Sequence, residues 1–173
     1  VPPGQYGLVE CNWSVTYSTV IPTDWTSGIY IAHLVRSGSP AYENYMIFTV
    51  RDDLRSADFL YQQPVFTYQA YNSFSNPDSS RSLYSPIGNP AVKVSFDRPY
   101  DGYGDGDFGV NITGYGSDSG GWELPFVQWI ESQGYDVSYA TNLDLHTNPN
   151  LLNNYKAFLS VGHDEDWTKE MYD

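Results

Sequence analysis

The run Ser160-Val161-Gly162-His163-Asp164-Glu165-Asp166-Trp167 sets one imidazole among three carboxylates. In extended chain, residues two apart share a face, so the spacing predicts His163 and Glu165 pointing into one site while Asp164 points away. An imidazole beside a carboxylate can move protons or help hold a cation. The apolar stretch Lys156-Ala157-Phe158-Leu159 before the run reads as a buried strand. Residues 166–173 after it start like a helix, with Asp166 at the cap. In open α/β sheets, ligands bind in the crevice beyond the carboxyl ends of the strands. The competing reading is an acidic loop that only caps a helix, because carboxylates are favoured near a helix N-terminus.

Tyr71 and Tyr84 extend the donor set. Two phenolates and a carboxylate are hard oxygen donors that suit a ferric ion better than zinc or copper(I). The chain holds sixteen tyrosines, so coincidence is easy, and packing of both rings stands beside the ligand reading. The Gly/Asp-rich stretch 101–107 invites a calcium assignment. An EF-hand loop, however, needs oxygen ligands at its first, third and fifth positions and a carboxylate at its twelfth. Here Tyr103 and Ile112 hold the third and twelfth positions, which leaves an irregular calcium loop or a solvated one. Ser160 lacks the flanking glycines of a nucleophile elbow, since Phe158 stands two residues before it. His33 and His146 are isolated and read as packing or surface histidines.

The elements that must position these residues fall into two stretches. Residues 1–52 read as β-structure: Trp13–Tyr17, Ile29–Val35 and Tyr45–Val50, with a turn-rich bend at 21–28. Three strands fall short of the roughly seven of an immunoglobulin-like sandwich, so this stretch reads as the end of a β-sandwich-like segment. Residues 53–173 read as α/β. Strand-like runs are Phe59–Gln62, Pro64–Phe66, Ala91–Phe96, Tyr135–Tyr139 and 156–161. A helix is predicted from Glu123 to Gln133 with Gly134 as its stop, and a short helix or turn over 148–155. Alternating strands and helices predict a partial, doubly wound parallel sheet. The last helix is unfinished at Asp173. A chain continuing past it, or a second chain or copy completing the sheet, is therefore expected.

Composition narrows the partners. Twenty-one acidic residues against eight basic ones give a formal charge of −13, which argues against nucleic acid and anionic membranes. No apolar run approaches the ~18 residues of a membrane span. Few basic residues with abundant Ser, Asn, Thr and Gly fit an extracellular or periplasmic protein. No secretory leader opens the sequence, so an exported form is expected to be mature or trimmed. Cys11, the one cysteine, makes no internal disulfide or thiolate cage and reads as a small hydrophobe beside Trp13. The sequons at Asn12 and Asn111 matter only in a glycosylating host.

Seven stretches occur in a familiar order: Glu10-Cys11-Asn12-Trp13, Asp24-Trp25-Thr26-Ser27-Gly28-Ile29-Tyr30, Val50-Arg51-Asp52-Asp53, Thr67-Tyr68-Gln69-Ala70-Tyr71-Asn72, Ser82-Leu83-Tyr84, Val94-Ser95-Phe96-Asp97-Arg98-Pro99-Tyr100 and Gly162-His163-Asp164-Glu165. Over nearly the whole chain they resemble the C-terminal region of the large (beta) subunit of N,N-dimethylformamidase and its bacterial relatives. The resemblance implies a domain similar to the class I glutamine-amidotransferase fold, after a β-sandwich-like segment. It implies a mononuclear iron held by two tyrosines and a glutamate. Carried onto this sequence, these are Tyr71, Tyr84 (with Tyr100 as the alternative) and Glu165. Thr67 would supply a supporting hydroxyl, and His163 a proton-transfer group. The implied reaction is iron-assisted hydrolysis of a small amide. Asp166 departs from the family pattern, where an aromatic often precedes Trp167. The alternative is a non-catalytic extracellular structural or assembly protein on the same scaffold; a glycan-binding module is a third reading.

Overall fold

The computed structural model describes residues 3–38, 43–74, 81–100 and 121–173. The calcium candidate at 101–107 and the Asn111 sequon lie outside these residues. Among the described residues the chain is a mixed α/β structure with two small sheets and no barrel. The first sheet pairs β1 (Gly28–Val35) with β2 (Glu43–Val50) antiparallel, Ile31 opposite Ile47. The second holds β3 (Ala57–Gln63), β4 (Val137–Thr141) and β5 (Tyr155–Ser160), all parallel in the order β4-β3-β5.

β3 is the centre because its side chains are buried on both faces, as a central parallel strand requires. On one face Leu60 packs with Ala140, Leu145 and Leu151. On the other Tyr61 packs with Val127, Ile130, Val137 and Tyr139. Each buried Leu, Val or Ile among them stabilises the fold by about 1.5–3 kcal/mol relative to exposure. The helices follow from these faces. α1 (Val65–Tyr71) leaves β3 directly, α2 (Glu123–Ser132) covers the Tyr61 face, and α3 (Asn142–Thr147) covers the Leu60 face. A short 3-10 turn (Pro149–Asn154) leads into β5, and α4 (Lys169–Tyr172) closes the described chain.

Several expectations are corrected. Trp13–Tyr17 alternates like a strand but forms none. Its apolar side chains are exposed, with Val15 at 84%, and among the described residues nothing packs them into a ladder. Ala91–Phe96 is also irregular. Pro64–Phe66 is not strand: Pro64 caps α1, where its missing N–H costs nothing. α3 has no counterpart in the sequence reading, although Thr141 and Asp144 form a reciprocal capping box at its start. β5 is an outer strand, with Lys156 and Ala157 exposed, and so is not fully buried. The cap of the last helix is Thr168, whose side chain accepts from Met171 N, rather than Asp166. The helix from Glu123 ends at Ser132, and Gly134 follows with φ +75°.

Candidate functional site

β3 and β5 are neighbours reached by different crossovers, because the chain runs from β3 to β4 on one side and returns to β5 on the other. Such a reversal opens a crevice at the carboxyl ends of the strands. Both connections from these ends carry candidate residues: β3 leads into α1 with Thr67 and Tyr71, and β5 leads into Gly162–Trp167.

Asp164 anchors the second connection. Its carboxylate accepts from Gln62 Nε2 at 2.7 Å, Ser160 Oγ at 2.7 Å, Asn142 Nδ2 at 3.2 Å and Trp167 Nε1 at 2.9 Å. It thereby ties together the ends of all three parallel strands. Charge-assisted bonds of this kind are about twice as strong as neutral ones. With Asp164 turned inward, His163 and Glu165 share the opposite side, as the alternation predicts. His163 Nε2 lies 3.0 Å from Glu165 Oε1.

Thr67 is fully buried on α1. Its Oγ1 accepts from the main-chain N–H of both Glu165 and Asp166, each at 3.1 Å. The role this geometry gives Thr67 is to position the turn; it touches no side chain of the donor cluster through these bonds. One helical turn on, the Tyr71 hydroxyl donates to Glu165 Oε1. Tyr84 stacks on Tyr71 with ring centroids 4.2 Å apart, and His163 lies against the same ring at 4.7 Å. The Tyr84 hydroxyl donates to Asp166 Oδ1 at 3.4 Å. Tyr71, Tyr84, His163 and Glu165 thus meet in one place. Tyr100 packs edge-on against Tyr68 at 6.1 Å, in the cluster that holds Ile29 and Ile47. His33 stacks on Tyr45, and His146 Nδ1 lies 2.9 Å from Thr168 Oγ1.

The electrostatics follow from this crowding. Desolvation, then the hydrogen bond to Glu165 and its charge, push the Tyr71 phenol well above its ordinary value. Tyr84 is raised by desolvation and by the charges of Asp166 and Glu165. Glu165 is held low, chiefly by the hydrogen bond from Tyr71, so its carboxylate stays ionised. Asp166 is raised by burial and by the neighbouring Glu165 charge.

The residues that sequence reasoning missed are the supports. Gln62 and Asn142 are fully buried polar side chains at strand ends, a signal readable only once the strand ends are known. Gly162 adopts φ +74°, and a Cβ on it would lie 2.3 Å from Trp122 Cβ and 3.0 Å from Glu123 Oε1. Only glycine lets the start of α2 press on this turn.

Among the described residues, no group of three or more His, Cys, Asp or Glu side chains could hold a metal ion. A cation here must therefore take tyrosine oxygens as well as Glu165. The donor chemistry fits iron: phenol and carboxylate oxygens converge, and no thiol is among them. No curated protein matches the chain. It belongs to the family of N,N-dimethylformamidase beta subunit-like proteins, whose C-terminal family model matches residues 2–173, and that membership points to a hydrolase-type function.

Proposed function

We propose that this chain carries the iron-holding part of an amide hydrolase acting on small, non-peptide amides, with Tyr71, Tyr84 and Glu165 as ligands. The observation that carries the reading is the meeting of those three oxygen donors, with His163, at the carboxyl ends of β3 and β5. The family description adds the substrate class. Three parallel strands with helices on both faces also support the doubly wound, amidotransferase-like reading. A further strand from a second chain or copy would add beside β5, an outer strand, because the edge of β4 is met by Ser27, whose side-chain oxygen accepts from Tyr139 N at 2.9 Å.

Held by Tyr71, Tyr84 and Glu165, a ferric ion would supply Lewis-acid polarisation of the amide carbonyl. Tyr71 and Tyr84 would contribute phenol oxygens to such a cation, and would have to give up their hydroxyl protons to do so. Glu165 contributes a carboxylate already ionised at neutral pH. His163 Nε2 lies at hydrogen-bond distance, 3.0 Å, from Glu165 Oε1, which places the imidazole to take and return a proton during hydrolysis. Thr67 and Asp164 fix the turn from opposite sides, so the ligand and the proton carrier keep their spacing.

The test is hydrolysis of small formamides by the purified protein before and after iron chelation. Loss of amine release on chelation, restored by iron, is expected. Turnover that survives complete iron removal contradicts the reading.

A further inference from the structure

Beside the donor cluster lies an open groove of about 280 Å³ walled mainly by Phe66, Leu83, Val94, Phe96 and Trp167. Asp166 is the one charged side chain among its described lining residues. That volume is just below the usual range for ligand pockets, which suits a small ligand. Asp166 also joins the groove to the cluster, because its Oδ1 accepts the Tyr84 hydroxyl at 3.4 Å. Its Oδ2 is buried with no hydrogen-bond partner among the described residues. Such an oxygen is costly to bury, and a positively charged donor beside it lowers that cost. The terminal torsion of an aspartate is broad and two-fold, so either oxygen can face the groove. Three aromatic rings and one carboxylate around a small volume favour an organic cation over a neutral molecule or an anion.

Amide hydrolysis makes such a cation. The oxygen of water joins the acyl carbon and the C–N bond breaks. At neutral pH the acid leaves as a carboxylate, and both protons of the water finish on the nitrogen, because an alkylamine titrates near lysine. Even an N,N-disubstituted amide, whose neutral nitrogen bears no N–H, therefore yields an ammonium with two. We propose that this groove is the amine-product subsite, in which Asp166 accepts an N–H of a secondary alkylammonium and the aromatic rings enclose its alkyl groups. The inference rests on reading the cluster as an amide-hydrolase site, and adds to it the place of the leaving group. The contact is missing from the neutral substrate and strengthens as charge develops on the departing nitrogen, so it assists cleavage rather than substrate binding.

The experiment compares N-methylbenzylammonium with its neutral isostere, benzyl methyl ether, as ligands of the purified protein by calorimetry at neutral pH. Hydrolysis of N-benzyl-N-methylformamide is assayed separately. The expected result is about 10-fold or more tighter binding of the ammonium. Asp166→Asn, which keeps the shape and removes the charge, should abolish that difference. Val94→Trp, which fills the groove, should weaken both compounds, with thermal unfolding confirming that each variant is folded. Equal or undetectable binding of the two compounds in the wild type overturns the proposal, as does binding untouched by Val94→Trp. A preference that survives Asp166→Asn reports only the general acidity of the chain and overturns it too. Ammonium preference without hydrolysis leaves the subsite standing and removes the hydrolase reading; hydrolysis without the preference does the reverse.

Discussion

The side-chain oxygen of Thr67 accepts the main-chain N–H groups of both Glu165 and Asp166, at 3.1 Å each. One hydroxyl on α1 therefore sets the position of the proposed glutamate ligand, 98 residues away in sequence. Replacing it with the isosteric Val leaves two N–H groups without their acceptor. Thr67→Val is expected to cost about 1–3 kcal/mol and to lower iron occupancy, while Thr67→Ser keeps both. Urea denaturation and metal analysis of the two variants check this.

Asp164 is predicted to matter more for stability than any other residue of the 160–167 run. Asp164→Ala removes the acceptor of the Gln62, Asn142 and Ser160 side chains, while Trp167 Nε1 keeps its bond to the Asp164 main-chain oxygen at 3.1 Å. A loss on the order of 3 kcal/mol is expected, read as a lower denaturation midpoint at unchanged slope. Asp164→Asn should lose less, because one acceptor oxygen remains.

Gly162→Ala sets a methyl group against Trp122 and demands positive φ from a residue that disfavours it. The expected cost is about 1–3 kcal/mol, with displacement of the adjacent His163. Thermal unfolding together with the rate of amide hydrolysis reports both effects.

The two candidate second tyrosines separate cleanly. Tyr84 stacks on Tyr71, whereas Tyr100 packs on Tyr68. Tyr84→Phe should therefore deplete bound iron and shift the visible band, and Tyr100→Phe should leave both unchanged. Iron loss in Tyr100→Phe alone contradicts the assignment of Tyr84.

Alkali should destabilise the fold through Tyr61 and Tyr139. Burial pushes both phenols well above their ordinary value, with the charge of Glu123 adding at Tyr61 and the hydrogen bond to Glu131 adding at Tyr139. Above the unfolded value near 10, the unfolded chain releases protons that the folded chain keeps, so stability falls as pH rises. The slope is about 1.4 kcal/mol per pH unit for each phenol, and below that value these groups contribute none. The Tyr61 hydroxyl is buried with no hydrogen-bond partner among the described residues, so Tyr61→Phe should lower the slope by about 1.4 kcal/mol per pH unit at little cost. Denaturation midpoints across the alkaline range decide it.

What the sequence made legible was local. Alternation in Gly162–Glu165 separated the inward Asp164 from the outward pair, and period plus Gly134 bounded α2. The hairpin β1–β2 was also readable from its β-rich runs. What stayed hidden depended on tertiary contacts. Trp13–Tyr17 alternates but has no partner strand among the described residues, and Val65 and Phe66 look like strand yet follow a proline into a helix. Gln62 and Asn142 carry no signal of their own until three strand ends converge on Asp164. The proposal of Tyr84 over Tyr100 likewise rests on ring contacts, Tyr84 on Tyr71 and Tyr100 on Tyr68, that the sequence does not show.

The central claim is that Tyr71, Tyr84 and Glu165 hold iron, and elemental analysis with a visible spectrum of the same purified sample tests it most directly. Near-stoichiometric iron with a ferric–phenolate band, lost in Tyr71→Phe, is the predicted result. A colourless protein without iron, unable to acquire it on addition of the metal, contradicts the account.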